Sequence, residues 1–488
     1  MIKTIRPKLE LLSRRLIEKI IDEAYEILEK TGIFVENKNA LKLFEQAGMK
    51  IDKKSHRVHL KRRLVEKCLA AAPSVVRLYD RSGKTEYTIG GDEVHYNPGS
   101  TAVTILDDKT GEERKPDTAD LVRFYRLAEC LDNIHFQSTA LISSDVPHPI
   151  ADIYRLYLGL IYSNKPFVTG TFRVESFRPM KDLLIAVRGS GKELARKPLA
   201  IFDACPSPPL KWSNLTTQSL IDSARAGIPS ELISMGMTGA TSLVTISGTL
   251  VQHVAENLCG LAIVQLAKPG APVIFGGSPS SFDMRRGTTP MGAIETMMID
   301  IGYSQIGKYL NLPTHAYMGL SDAKTIDAQA GTETGLGAVL GALAGVNVIS
   351  GAGMLDFESC QSLEKLLIDD EICGMAYRLI SGIAQREEPI AADKFIGFTP
   401  EMQFLTLPHT KKWYRKEHSY PVIADRDTYD AWAAQGRKAI AERAAEGVER
   451  LLRSRPPALA DVRTRNDLTK VMTAYAESNG IASLPGLP

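Results

Sequence analysis

The chain has 488 residues, with 59 Lys and Arg against 57 Asp and Glu, a formal net charge of +2, and 44% hydrophobic residues. A balance this even, without a Lys/Arg-rich tract interleaved with aromatics, argues against a nucleic-acid binder. The length permits two or three domains, or one large α/β barrel with extensions.

In chain order, "MIKTIRPKLELLSRRLIEKIIDEAYEILEK" is charged throughout and lacks the apolar core of a signal peptide. No uninterrupted apolar run approaches the roughly 20 residues that span a bilayer, so a cytoplasmic chain without membrane contact is expected. Residues 8–70 read as helices, with Leu16, Ile20, Ala24 and Ile27 at helical spacing and Gly32 as a C-cap. "VRLYDRSGKTEYTIGGDEVHY" reads as short strands joined at Ser82-Gly83 and Gly90-Gly91.

The sequence then becomes regular. "KPFVTGTF", "KPLAIFDACP", "IPSELISMGMTG", "APVIFGGSPSSFD" and "LPTHAYMGLSD" are short apolar runs, each introduced by a proline: Pro166, Pro198, Pro229, Pro272 and Pro313. Proline suits the first residue of a strand, where its missing N–H costs the ladder nothing. The intervals of 31–43 residues leave room for a strand, a loop and a helix, and helical segments ending in Gly fill them. "VHYNPGSTAVTIL" and "DNIHFQSTALISSD" supply two earlier strands and "NVISGAGMLDFE" the last, near residues 94, 134, 167, 199, 231, 273, 314 and 347. Eight continuous apolar strands alternating with helices predict a (β/α)8 barrel of the TIM type over residues 93–384. Helices and short strands over 1–92 precede it, and a helical extension over 385–488 follows. An open doubly wound sheet is the alternative, but no GxGxxG follows the first strand.

In such a barrel the chemistry sits at the carboxyl ends of the strands. The end of the eighth strand, "GAGMLDFE", joins small residues to two carboxylates. Comparable positions carry Tyr96-Asn97, Gln137, Asp145, Thr171-Phe172, Asp203, Met235, Met237, Phe275, Tyr317 and Asp322. This rim is aromatic, thioether-rich and acidic, as a small organic cation requires: each well-placed ring contributes roughly 0.5–2 kcal/mol. Taken singly, Phe and Met in strands are more often packing, and Asp203 or Asp283 more often a cap. The nine histidines show no HxH or HExxH spacing, and the six cysteines form no CxxC pair, so no metal site is expected and the thiols read as reduced. No GxSxG elbow or P-loop occurs. "FGGSPSS" is a short phosphate cradle at most, and His95 and His315 read as satisfied polar contacts.

"NPGSTAVTILDDKTGEERKPDTADLVRFYRLAECLDNI" and "SDAKTIDAQAGTETGLGAVLGALAGVNVISGAGML" resemble the trimethylamine methyltransferase family of corrinoid-dependent enzymes, and the similarity runs from the N-terminal helices to about residue 400. The resemblance implies a TIM barrel that moves a methyl group from an amine to the cobalt of a separate corrinoid protein. It also implies no covalently bound cofactor, and a homo-oligomer is expected. Archaeal trimethylamine enzymes of the family carry pyrrolysine, whereas this chain holds only the standard twenty residues, like the branch that resembles glycine betaine methyltransferase. A quaternary ammonium is already cationic and leaves as a neutral amine. The barrel then needs no nucleophile of its own: it desolvates the cation and aims one N–CH₃ bond.

On this reading Tyr96, Phe172, Phe275, Tyr317 and Phe357 are candidates for the cation cage, and Asn97 and Gln137 for orientation. Asp322, Asp356 and Glu358 are candidates for the stabilising field, and Gly351 and Gly353 for close approach of ligand or corrin. Arg173 or Lys324 would pair with a substrate carboxylate, against a surface salt bridge as the plainer role. Two alternatives stand beside it: a TIM-barrel enzyme acting on a phosphorylated or anionic metabolite, and a non-catalytic betaine-binding protein.

Overall fold

A computed structural model of the chain describes residues 4–52 and 54–486. The terminal segments expected above include Met1–Lys3, Lys53 and residues 487–488, which lie outside the described residues. Eight parallel strands organise the fold: β1 (His95–Pro98), β2 (Gln137–Ser138), β3 (Phe167–Thr169), β4 (Ala200–Ala204), β5 (Ser230–Ser234), β6 (Val273–Gly277), β7 (His315–Tyr317) and β8 (Val348–Ala352). Strands β2 through β6 pair in sequence, and β7 pairs with β8, which pairs with β1. Two parallel bridges, Tyr96 to Ile134 and Phe275 to Thr314, join the two groups, so the pairing runs round in a ring. The prolines do what their position allows. Pro166, Pro229, Pro272 and Pro313 each accept a backbone hydrogen bond from the preceding strand through their carbonyls while owing the ladder no donor.

A helix follows each strand: α1 (Thr118–Glu129), α2 (Ala151–Tyr162), α3 (Phe177–Arg188), α4 (Asn214–Ala226), α5 (Ile246–Ala267), α6 (Ile294–Tyr309), α7 (Ala328–Ala344) and α8 (Leu363–Ile380). Their ends are specified locally. Asp117 and Asp120 form a capping box at the start of α1, Ser213 caps α4 and Asp327 caps α7. Gly189, Gly227 and Gly345 close α3, α4 and α7 in the left-handed conformation.

The amino end of the ring is closed by a hairpin, Val75–Tyr79 with Glu86–Gly90. Its Val76, Leu78 and Ile89 pack with Phe136, Val168, Ile201, Ile274 and Val348 from the strands in one buried cluster. That layer sets the parity of every strand. Residues at even spacing from Ile201 or Ile274 face the interior, and their neighbours face the helices.

The expected helical run over 8–70 is only partly helical. Helices Arg14–Glu26, Lys38–Gln46 and Arg62–Ala71 are separated by short strands Ile33–Val35, Lys50–Asp52 and Arg57–His59, and Ile33–Val35 also pairs with Lys211–Trp212. The β-branched "IFV" and "RVH" segments favour a ladder over a helix. These N-terminal helices cover α5, which is apolar enough by composition to cross a membrane, yet 83% of its most apolar window is buried in the protein. From the other end of the chain, Ile440–Ser454 packs on α8 and Val462–Ser478 on α3 and α2.

Candidate active site

At the carboxyl ends of the strands lies a cavity of about 560 Å³, within the usual range for small-molecule sites. Its walls come from residues 100–358 and include Phe172, Tyr317 and Phe357, the thioethers of Met235, Met237 and Met291, the carboxyls of Asp203 and Glu358, and Arg155. Strand parity puts them there. Ile201 faces the inner layer, so Asp203 and Cys205 face inward above it; His315 faces inward beneath Tyr317.

Asp203 and Glu231 are register partners on β4 and β5, so their buried carboxyls are neighbours on the inner face of the ring. Burial pushes Asp203 up to about 7 and Glu231 well above its ordinary value, so the pair shares a proton. His315 Nδ1 stands 3.7 Å from Glu231 Oε1, too far for a hydrogen bond. Burial also depresses His315 to about 3, so it is neutral and the contact is no ion pair. Burial raises Glu358 to about 8, opposed by the Ser100 N–H and reinforced by the charge on Asp203. Both cavity carboxyls are therefore weak acids that give up their protons around neutral pH or above.

Raised values of this kind cost stability as pH rises. The contribution of Glu358 is intact below its ordinary 4.5 and is lost progressively as pH climbs towards 8. Glu358→Gln is expected to stabilise the protein by an amount that grows between pH 5 and pH 8, to on the order of 2 kcal/mol. Denaturant unfolding at the two pH values measures it; an equal effect at both would show that Glu358 titrates normally.

The turn carrying Phe357 and Glu358 is strained. Asp356, Phe357 and Glu358 have φ of 47°, 54° and 69°, three consecutive left-handed residues without a glycine, and Thr101 across the cavity has φ of 66°. Each costs of order 1–2 kcal/mol. The turn is held by Asp356 N–H on the Ala323 carbonyl, Ser359 N–H on the Asp356 carbonyl, and Val103 and Thr104 N–H on the Ser359 carbonyl. Its effect is to turn both Phe357 and Glu358 towards the cavity, where an extended strand would alternate them.

Of the residues singled out in the sequence, the structure brings together Phe172, Tyr317, Phe357 and Glu358. Tyr96, Gln137 and Phe275 lie on the opposite strand parity and face helices. Tyr96 donates to the Ala338 carbonyl of α7, Gln137 donates to the Tyr125 carbonyl of α1, and Phe275 packs beside His253 and Gly307. Asn97 faces inward but is buried, donating to Ser350 Oγ at 3.1 Å. Asp322 accepts the N–H groups of Met291 and Gly292 at 2.9 Å each, which holds the loop that carries Met291 to the cavity. Burial raises Asp322 to about 6.

Asp356 pairs with Lys324 at 3.1 Å, and Lys324 Nζ lies 3.8 Å from the Phe357 ring centroid, covering one of its faces. Gly351 and Gly353 serve the backbone rather than the cavity. They have φ of 121° and 85°, and an added Cβ would stand 2.8 Å from Leu320 and 2.0 Å from Gln361. Arg173 reaches Glu175 and Asn479 away from the cavity.

Glu231 and Arg155 escaped the sequence reading. The available signal was an acid inside the wholly buried strand "SELIS" and an arginine inside the wholly buried helix "ADIYRLYLGLIY". Charges are rarely buried without a reason.

Residues 1–478 match the family described as trimethylamine methyltransferase (MTTB). Trimethylamine methyltransferase MttB of Desulfitobacterium hafniense strain DCB-2 is 32% identical over 457 residues, 94% of this chain and 92% of that protein. Glycine betaine methyltransferase of Desulfitobacterium hafniense strain Y51 is 32% identical over 431 residues, 88% of this chain and 89% of that protein. The solved structure of Methanosarcina barkeri monomethylamine methyltransferase (MtmB) has a TM-score of 0.56 over 93% of this chain and 90% of its own, at 11% identity, a likeness of fold alone. With a family match along nearly all its length and relatives of similar size on either side of the amine and betaine activities, the chain belongs to the trimethylamine methyltransferase family and is a methyltransferase.

Proposed function

We propose that the ring of strands is a (β/α)8 barrel, with residues 1–92 and 385–488 as its extensions, and that it transfers a methyl group from a quaternary amine, glycine betaine or a related betaine, to the Co(I) of a cognate corrinoid protein. The reaction is quaternary amine + Co(I)-corrinoid protein → tertiary amine + methyl-Co(III)-corrinoid protein. The observation that carries the reading is the lining of one cavity by three aromatic rings, three thioethers and two carboxyls. Rings and sulfur solvate an alkylammonium without demanding that it lose a proton, which it cannot do. The corrinoid on the partner supplies a strong nucleophile for the methyl carbon.

The carboxyls suit this chemistry because they are weakly acidic. Methyl transfer removes the positive charge from nitrogen. A permanent pair of carboxylates would therefore stabilise the bound cation more than the transition state, and binding energy of that kind does not raise kcat. Asp203 and Glu358 ionise as the cation binds and can take protons back as the neutral amine forms, while Glu231 keeps the proton of its pair with Asp203. Around the mouth, Val103, Met235, Leu243, Val244 and Met284 are exposed. Val244 and Met284 adjoin one another across Gly239. This apolar rim fits the flat, largely apolar face of a corrin presented by a second protein.

The test is to mix the protein with a Co(I) corrinoid and follow the Co(I)-to-methyl-Co(III) absorbance change with a panel of betaines and methylamines. Turnover is expected with at least one quaternary amine. Absence of turnover across the panel with cognate corrinoid proteins, or binding of betaine without transfer, would overturn the reading.

A further inference from the structure

Besides its acids the cavity holds one arginine, and no carboxylate of the described residues stands at ion-pair distance from it. Arg155 comes from the middle of α2, is 1% exposed, and lines the cavity. Its Nη1 donates to the Thr139 carbonyl at 2.6 Å and to Thr101 Oγ1 at 3.4 Å, and its Nε has no hydrogen-bond partner. The guanidinium carbon lies 4.5 Å from the centroid of the Phe172 ring. No carboxylate of the described residues forms an ion pair with it. Asp152, one turn earlier, attracts the guanidinium only from beyond ion-pair distance, because its oxygens are occupied by the N–H groups of Phe172 at 2.8 Å and Ile153 at 2.9 Å.

A desolvated guanidinium with no carboxylate in direct contact is among the costlier things a fold can retain. Burial lowers Arg155 only to about 10, so it stays charged at neutral pH. Its planar donors match a carboxylate two at a time, and one edge of them is unspent. The acids of the same cavity, Asp203 and Glu358, stand on β4 and in the turn after β8, whereas Arg155 stands on α2. Neither of them stands within ion-pair distance of it.

We propose that Arg155 is the specificity-determining residue of this site: it takes the carboxylate of a small zwitterion whose quaternary ammonium lies among the aromatic rings and acids. This rests on the methyl-transfer reading above and narrows it to amines that carry their own anion. A betaine fills both ends of the cavity and leaves no charge unpaired. A simple quaternary cation leaves Arg155 bare, with a like charge enclosed beside it. Two unit charges about 6 Å apart at an effective dielectric near 20 repel enough to change affinity roughly a hundredfold. A carboxylate-free amine is thus rejected twice, by the missing pair and by the repulsion.

The experiment is calorimetric titration of the full-length protein with glycine betaine, γ-butyrobetaine, proline betaine, choline and tetramethylammonium, with acetate as a competitor. The best betaine is expected to bind about a hundredfold more tightly than choline or tetramethylammonium, and acetate is expected to displace it competitively. Arg155→Gln should bring that ratio to within about threefold, by weakening the betaine and strengthening the two plain cations. Arg155→Lys should retain part of it. A merely structural arginine would weaken every ligand together and leave the ratio unchanged, which would overturn the proposal. If Arg155→Gln does not fold, the wild-type ratio and acetate competition decide. Equal binding of choline and betaine, or betaine binding indifferent to acetate, sinks the assignment of Arg155 while methyl transfer still stands. Absence of binding by every quaternary ammonium and of any methyl transfer removes the underlying reading and this proposal with it.

Discussion

Asp203→Asn is expected to raise KM for the quaternary amine about a hundredfold and to leave kcat within a few-fold of wild type. A carboxylate about 5 Å from a cation, at an effective dielectric near 20, contributes roughly 3 kcal/mol to holding it. That attraction fades in the transition state, because the positive charge leaves nitrogen with the methyl group. Its loss therefore appears in KM rather than kcat. Wild-type KM should fall as pH rises through the region of 7 to 8, where Asp203 and Glu358 lose their protons, and level off above it. The Asn variant should show a flatter profile. Glu231, raised well above its ordinary value by burial, remains protonated beside the amide and the fold tolerates the change. Steady-state kinetics between pH 6 and pH 9 measure both effects. A fall in kcat at constant KM would mean instead that Asp203 acts in the chemical step.

Gly337→Ala should be strongly destabilising, for the added Cβ meets backbone more closely there than at any other glycine of the described residues. On α7 an added Cβ at Gly337 would stand 1.7 Å from the Met318 carbonyl oxygen, a backbone atom one residue past Tyr317. Helix and strand end must separate, at a cost of about 3 kcal/mol or more. The separation also shifts Tyr317 in the cavity wall. Gly335, two residues earlier, has open space around it. There Gly335→Ala should stabilise by about 0.5–1 kcal/mol, as alanine does in an unobstructed helix. Denaturant midpoints of the two variants form a matched pair. Equal stability would mean that α7 can slide away from β7 freely, contrary to the contact drawn here.

The order of the elements was legible in the sequence because it is written in local chemistry. Pro166, Pro198, Pro229, Pro272 and Pro313 head apolar runs, Asp117, Ser213 and Asp327 cap the helices that follow, and Gly189, Gly227 and Gly345 end them. None of these signals needs a distant residue. The carboxyl end of the strands as the place of the site follows from the same order, and Phe172, Tyr317, Phe357 and Glu358 meet there. Which side chains of a strand enter the cavity is a different matter. Strands of a parallel sheet are buried on both faces, so apolar and polar residues do not alternate, and the sequence carries no mark of parity. Tyr96, Gln137 and Phe275 look no different in sequence from Tyr317, yet they face helices.

The chain's own letters thus determine an eight-fold succession of strand and helix and the family to which it belongs. Tertiary structure alone decides that Asp203 meets Glu231, that Arg155 Nε finds no hydrogen-bond partner among the described residues, and that the turn at Asp356–Glu358 winds left-handed. The reason is physical. Capping and strand initiation act over a few residues, whereas desolvation and the pairing of charges depend on what lies across the ring, and register between strands far apart in sequence sets that.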